Sequence, residues 1–387
     1  MMNRVKIWTD KHIQGDPVIW LVVICLSVFG ILVVYSATGS LAYRFADGNT
    51  EKYLIRHTFM VVLSLFVMWI AHKVDYRYYS KITKYALFVS APLLLYAWLY
   101  GSSVNEARRW IDLPFIGIQF QPSDLAKMAL IAALATMLAK RQQKITDIKE
   151  SLIPMLAWCG GICGLIAMTN ISTAILLFMT CMLLLFIGRV PMKYLAMLAI
   201  VGVFVGLIAI KVGQRGTTAE NRITNFLQGT ELPYQVEQSY IAIAKGGVLG
   251  QGPGNSVQRN FLPEAFSDFV FAIIIEEYGI IGGVFVLFLY LVLLYRGMRV
   301  VANSDRAFGG LLSAGLSFAI VIQALVNIGV VVGLGPVTGQ TLPLISMGGT
   351  SLLFTGLSLG IILSVSRGEQ EDMSAVNGEL RNTARAI

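Results

Sequence analysis

The residues of this chain that could do chemistry lie in a few short stretches. Ala107-Arg108-Arg109-Trp110-Ile111 sets two guanidiniums beside an indole. Arginine grips phosphate oxygens through paired N–H donors and tryptophan favours the headgroup zone of a bilayer, so this pairing suits a lipid-linked phosphate; ordinary interfacial anchoring would use the same residue types. Gln121-Pro-Ser-Asp124-Leu-Ala-Lys127 reads as a helix opening, with Pro122 in the first turn and Asp124 and Lys127 three apart on one face. That spacing allows a self-neutralised ion pair, or a lysine pointing into a cavity that receives an anionic substrate. Leu262-Pro-Glu264-Ala-Phe-Ser-Asp268 leads into an apolar run that also holds Glu276 and Glu277. With a helix starting near Asp268, Glu276 lies two turns deeper, ~12 Å at ~1.5 Å per residue. An ionised group near a bilayer centre costs about 2.5 to 3.5 kcal/mol on insertion scales and is kept only with a partner or a watery cavity. Ser267 or Asp268 could also serve as a helix cap, and Glu276 or Glu277 could bond to backbone or to a basic partner.

Other chemistries find less support. His12, His57 and His72 are scattered, no Cys/His cluster has zinc spacing, and no Ser/His/Asp constellation is evident. Cys25, Cys159, Cys163 and Cys181 all sit in apolar runs and read as small core residues without a disulfide. The glycine-rich stretch from Gly246 to Gly254 lacks the strand, helix and Lys-Ser/Thr context of a nucleotide loop, and suits flexible backbone near a substrate groove or a tight re-entrant turn.

The elements that must carry these groups are set by composition. Of 387 residues, 56% are hydrophobic and 13% charged, against ~25% charged in a soluble domain. With a mean hydropathy of +0.69, this excludes a disordered chain or a disulfide-framed secreted module and leaves a multi-spanning membrane protein. A bilayer core of ~30 Å needs ~20 apolar helical residues, because the backbone must satisfy its own hydrogen bonds there. Ten stretches qualify: 17–35, 53–71, 82–99, 122–139, 152–168, 171–188, 191–210, 269–295, 308–332 and 341–365. The predicted fold is an all-α bundle of ten transmembrane helices over residues 17–366. A segment 1–16 precedes it, a flexible tail 367–387 follows, and a long, ordered loop over 211–267 joins the seventh and eighth helices. Small residues after the first run are those of a signal-cleavage site, but the run is read as a retained span.

The net charge of +8 is placed asymmetrically. Lys73, Arg77, Lys81 and Lys84, then Lys140, Arg141, Lys144 and Lys149, then Arg296, Arg299 and Arg306, fall on the same side as Arg4, Lys6 and Lys11. The opposite loops hold few cations: Arg44, Lys52, Arg56, Arg108 and Arg109. By the Lys/Arg bias both termini are cytoplasmic and residues 211–267 are external. The charge follows the membrane, and no nucleic-acid partner is read from it.

Several motifs, in order, resemble the SEDS family. They are Tyr35-Ser-Ala, the Arg108-Arg109-Trp110 box, Gln121-Pro-Ser-Asp124-Leu-Ala-Lys127, Gly250-Gln-Gly-Pro-Gly-Asn-Ser256, Phe261-Leu-Pro-Glu-Ala-Phe-Ser-Asp268, Glu276-Glu-Tyr-Gly279 and Leu342-Pro-Leu-Ile-Ser-Met-Gly-Gly-Thr-Ser351. The likeness covers nearly the whole chain and is closest to the division branch, with the elongation branch as near relative. It implies a ten-helix enzyme of the bacterial cytoplasmic membrane, at the division septum, that polymerises lipid II into a nascent glycan strand on the outer face. A class B penicillin-binding transpeptidase and other divisome membrane proteins are the implied partners. Carried onto this chain, the essential external aspartate is Asp268 and the fourth-span lysine is Lys127. The chain departs from the family where Asp124 replaces a frequent Glu, Asn170 a frequent Asp and Met347 a frequent Tyr.

In that chemistry a sugar 4-hydroxyl attacks an anomeric carbon whose leaving group is a lipid diphosphate. Asp268 is the candidate base, a role worth typically ~10² to 10⁴ in rate. Arg108, Arg109, Trp110, Asp124, Lys127, Glu264 and Glu276 form the candidate substrate-binding set. A divalent cation, Mg2+ or Mn2+, is left open by the sequence. The competing reading is a flippase or transporter for the same lipid, because intramembrane charges also mark transport pathways.

Overall fold

The computed structural model describes residues 14–39, 50–104, 107–113, 118–142, 145, 147–213, 216–228, 233–304 and 306–386. The expected basic residues Arg4, Lys6, Lys11, Arg44 and Lys144 lie outside them, as does Glu231. In chain order the helices and strands are α1 (Pro17–Ala37), α2 (Thr50–Lys73), α3 (Tyr76–Tyr100), β1 (Ser102–Val104), β2 (Ala107–Leu113), β3 (Ile118–Phe120), α4 (Pro122–Lys140), α5 (Ile153–Ala167), α6 (Ile171–Ile187), α7 (Met192–Val212), α8 (Gly216–Gln228), α9 (Tyr234–Gly246), α10 (Val270–Asn303), α11 (Ala307–Val331) and α12 (Thr350–Ala386). Among the described residues nine helices are long and apolar enough to cross a bilayer, α5 counting the π-turn Ile148–Leu152 that precedes it; α6, with 17 residues, is a shorter apolar helix. The chain is an all-α integral membrane protein. The segment between α7 and α10, expected to be external, contains α8 and α9, and the polar residues after Arg367 continue α12 as helical backbone.

Helix starts follow local polar chemistry. Asp16 caps α1 by accepting from the N–H groups of Val18 (2.8 Å) and Ile19 (3.4 Å), and its other oxygen takes Arg296 at 2.5 Å, tying the first span to the end of α10. Asn170 caps α6 by accepting from Thr173 N–H at 3.1 Å, which places the predicted break between the fifth and sixth spans. Among the nine spans α4, α11 and the first part of α12 are the most buried, with 67%, 61% and 61% of their apolar windows inside the protein. The alanines of α4 (Ala126, Ala129, Ala132, Ala133, Ala135) let its neighbours come close. The α2–α12 contact uses the same device: a Cβ on Gly356 would meet the Ser64 carbonyl at 2.4 Å, and Ser64 Oγ donates to Leu352 O at 2.6 Å.

Two features were not predicted. Between α3 and α4 the chain forms a three-stranded antiparallel sheet in the order β1-β2-β3, with Ser103 opposite Arg108 and Asp112 opposite Gln119. And α10 is two helices joined at Gly279, whose φ of +69° breaks the ladder. The groups freed by the kink are met by the glycine-rich stretch: Gln251 and Gly252 N–H donate to the carbonyls of Glu276 (2.9 Å) and Glu277 (3.0 Å), while Ile280 and Ile281 N–H donate to Gly247 (2.9 Å) and Val248 (3.4 Å). Irregular backbone survives at membrane depth only when protein satisfies it in this way. Cys159, Cys163 and Cys181 also gather, with sulfurs within 4.8 Å, in the buried core between α5 and α6.

Candidate active site

A cavity of about 720 Å3 lies at the end of the bundle where the sheet, the start of α4, the loop before α10 and the segment before α12 meet. Each wall has a local reason. Pro122 opens α4 so that Asp124 and Lys127 fall on its first turns, and they form an ion pair of 2.8 Å with Asp124 4% and Lys127 24% exposed. The ion pair of the sequence reading is present, and both of its residues also line the cavity. On β2 the register shifts: Arg108 lies opposite Ser103 and Trp110 opposite Ser102, so Arg109 is an extra residue that interrupts the alternation of side chains. Arg109 and Trp110 reach the cavity, whereas Arg108 turns back to donate to the Leu99 carbonyl at 2.9 Å and is not among the lining residues.

Asp268 stands on the opposite wall, just ahead of the half-helix 270–278, and is held through its backbone. Asn327 of α11 donates to the Asp268 carbonyl (2.7 Å) and to the Gln340 carbonyl (2.6 Å). Ser346 Oγ donates to the Ser267 carbonyl at 2.6 Å, and Met347 N–H to the Phe266 carbonyl at 2.9 Å. Ser267 Oγ donates to Asp268 Oδ1 at 3.0 Å, and a Cβ on Gly339 would lie 3.3 Å from Oδ2, so glycine leaves room at the carboxylate. Glu264 lines the same wall with φ +56°, in the left-handed region. Crowding by the surrounding protein, and then the negative charge of Asp268, raise its carboxyl above the usual carboxylate range.

Glu276 is not in the cavity. Fully buried, it accepts from Val257 N–H (3.0 Å), from Gln258 N–H (3.2 Å) and from the Ser256 hydroxyl, and so clamps the loop to the kinked helix. Glu277 accepts from the hydroxyl of Ser36, to which Arg259 also donates at 3.1 Å. These carboxylates satisfy backbone, the alternative the sequence had left open.

Some cavity residues carried no sequence signal. Arg56 and His57 enter from α2, Asn170 and Thr173 from the start of α6, and Gln323 and Gln340 from α11 and the segment after it. His57 is 1% exposed and both its ring nitrogens lack a partner among the described residues. Phe59, also lining the cavity, is 60% exposed, so the recess reaches the lipid-facing surface along α2. Below Lys127, Leu130, Ile131 and Leu134 of α4 are at most 1% exposed. A small void of about 70 Å3 continues from the cavity, shares Asp124, Lys127, Gln323 and Gln340 with it, and is bounded further by apolar residues such as Leu176 and Leu316 and by the hydroxyls of Thr180 and Ser358. The chamber thus offers two separated carboxylate groups, cations for an anion, hydrogen-bonding amides and a lipid-side opening.

The fold and the sequence both have close counterparts. The chain is 34% identical to stage V sporulation protein E of Bacillus subtilis over 93% of its length and 99% of that protein's. It is 35% identical to the probable peptidoglycan glycosyltransferase FtsW of Geobacter metallireducens over 91% of this chain and 94% of the relative, and 35% identical to the FtsW of Coxiella burnetii over 90% and 95%. Among solved structures it resembles a chain of a peptidoglycan synthase complex studied for its coordination of polymerization and crosslinking, with a TM-score of 0.71 and 25% identity over 92% of this chain and 98% of that one. The rod shape determining protein RodA of Thermus thermophilus superposes with a TM-score of 0.67 at 24% identity, covering 92% and 97%. Residues 16–371 match the cell cycle protein family of FtsW, RodA and SpoVE, and the chain belongs to that family.

Proposed function

We propose that the protein is a peptidoglycan glycosyltransferase that polymerises lipid II at the outer face of the cytoplasmic membrane during septal wall synthesis. The observation that carries this reading is Asp268, held by its backbone on one wall of a lipid-accessible cavity whose other wall presents Arg109 and Lys127. The names of the FtsW relatives support the division role, and the similar peptidoglycan synthase complex supports a crosslinking partner, a class B transpeptidase. The Lys/Arg bias supports a cytoplasmic position for both termini.

The mechanism follows from the positions. Asp268 accepts the proton of the acceptor 4-hydroxyl as its oxygen bonds to the donor's anomeric carbon. The bond from that carbon to the diphosphate breaks, and its electron pair leaves on the diphosphate oxygen. Arg109, Arg56 and Lys127 meet the charge that develops there, in a recess where such charges act more strongly than in water. A single displacement inverts the carbon, converting an α-linked donor into a β-linked strand, by analogy with glycoside hydrolysis. Trp110 marks the headgroup level, and the lipid tails stay outside along α2 beside Phe59. Asp268 and Glu264 are the two carboxylates that Mg2+ or Mn2+ would use together with substrate oxygens, and the ion would supply positive charge at the diphosphate.

The test is lipid II polymerisation by the purified chain in liposomes, with and without Mg2+ or Mn2+ and a transpeptidase partner, scored beside lipid translocation. Asp268→Asn is expected to fold and bind lipid II while losing at least ~10²-fold in glycan synthesis. Wild-type synthesis by that variant, or translocation without any polymer, would overturn the assignment.

A further inference from the structure

Away from Asp268, the far end of α4 carries a second polar recess. Lys140 lies sixteen residues beyond Asp124, about 24 Å along the helix at ~1.5 Å per residue, so this end reaches the other side of the hydrocarbon core. A space of about 690 Å3 opens there between the end of α4 and the π-turn that starts α5. Lys140, Arg141, Lys149, Glu150 and Ser151 line it. Its charge is unbalanced. Three cations line it against one carboxylate, Glu150, and the neighbouring Asp147 accepts from Lys149 N–H (3.0 Å) and Glu150 N–H (3.1 Å).

Two buried groups at this recess have no hydrogen-bond partner among the described residues: Nη1 of Arg141 and the hydroxyl of Ser151, a residue with 0% exposure. An unmet buried donor is costly, and more so when it is charged. A tetrahedral anion with several acceptor oxygens answers both, and arginine is the side chain best shaped to grip one. The flanks say what would carry it. Ile148 and Ile153, on either side of Lys149 and Ser151, are each 52% exposed, which puts apolar surface for acyl chains beside the basic recess. Basic pockets between spans at a membrane surface suit lipid phosphates.

We propose that this recess is a phosphate-binding site occupied by the headgroup of an anionic phospholipid, with Arg141, Lys140 and Lys149 supplying charge and Ser151 a hydrogen bond. The site is separate from the glycan chemistry and does not depend on it.

The purified full chain, titrated with phosphatidylglycerol or phosphatidylcholine and read by native mass spectrometry, tests this. The wild type is expected to retain phosphatidylglycerol about tenfold better, the worth of one charge-assisted hydrogen bond. The double variant Arg141→Gln, Lys149→Gln is expected to lose that preference. Lys81→Gln, Lys84→Gln, which removes the same charge from exposed positions near the start of α3, is expected to keep it. Ser151→Ala, leaving all charges in place, should lower retention about threefold, and carries the test should the double variant fail to melt cooperatively. Competition by millimolar inorganic phosphate would support the phosphate site with a soluble source. Equal loss in both double variants, or no preference in the wild type together with an unaffected Ser151→Ala, overturns the proposal.

Discussion

Glu264 sits close enough to Asp268 for each carboxylate to oppose the other's ionisation, and this sets a pH dependence. The Glu264 carboxyl is raised, so between its ordinary and its raised value the folded protein holds a proton that the unfolded chain has lost. Stability contributed by this group therefore falls as pH rises through that interval. Glu264→Gln is expected to remove this slope, read as a melting temperature that changes less with pH across that interval than the wild type's. His57 gives a second test. Its ring nitrogens are buried without partners among the described residues, at an expected cost of about 1 to 3 kcal/mol for the unmet group. His57→Phe should raise the melting temperature while weakening the KM for lipid II, whereas His57→Gln should keep the KM closer to wild type. At this scale the sequence was legible where a charge stood in an apolar run, as at Asp124, Lys127 and Asp268. It was silent on Asn327 and Gln340, neutral amides whose importance comes from the carbonyls brought near them by distant segments.

The spans could be read from hydropathy because lipid imposes length and apolarity on each helix independently. Neither the sheet nor the kink follows from that rule. The register shift at Arg109 goes with its place in the cavity beside Trp110, while Arg108 meets the Leu99 carbonyl, and a reading of the motif as one unit could not separate them. The kink had a sign in Glu276-Glu-Tyr-Gly279, but its partner, the glycine-rich stretch, lies almost thirty residues upstream and meets it only in the fold. Gly279→Ala tests that junction. A Cβ there would approach the Val248 carbonyl at 2.1 Å at a φ of +69°, so loss of about 2 kcal/mol or more is expected, seen as a lower melting temperature. Gly206→Ala, in α7, would serve as the comparison, because a Cβ there would meet nothing within 4 Å.

For the molecule as a whole, the cavity opens beside the exposed Phe59 and rests on the buried side chains of Leu130, Ile131 and Leu134. A transporter of lipid would need that floor to open, against the packing of α4 on α11. Liposomes carrying the protein are accordingly expected to hold an imposed pH difference as well as protein-free ones, followed with an entrapped pH dye. Proton leakage that rises with Lys127→Ala would show that the Asp124–Lys127 pair, rather than the leucines beneath it, is the stopper. A floor packed with buried leucine and isoleucine has a physiological meaning of its own. An enzyme that works on a polar sugar sunk into the bilayer invites a short circuit, and here the insulation stays whole while wall is built, so growth need not discharge the gradient that powers the cell.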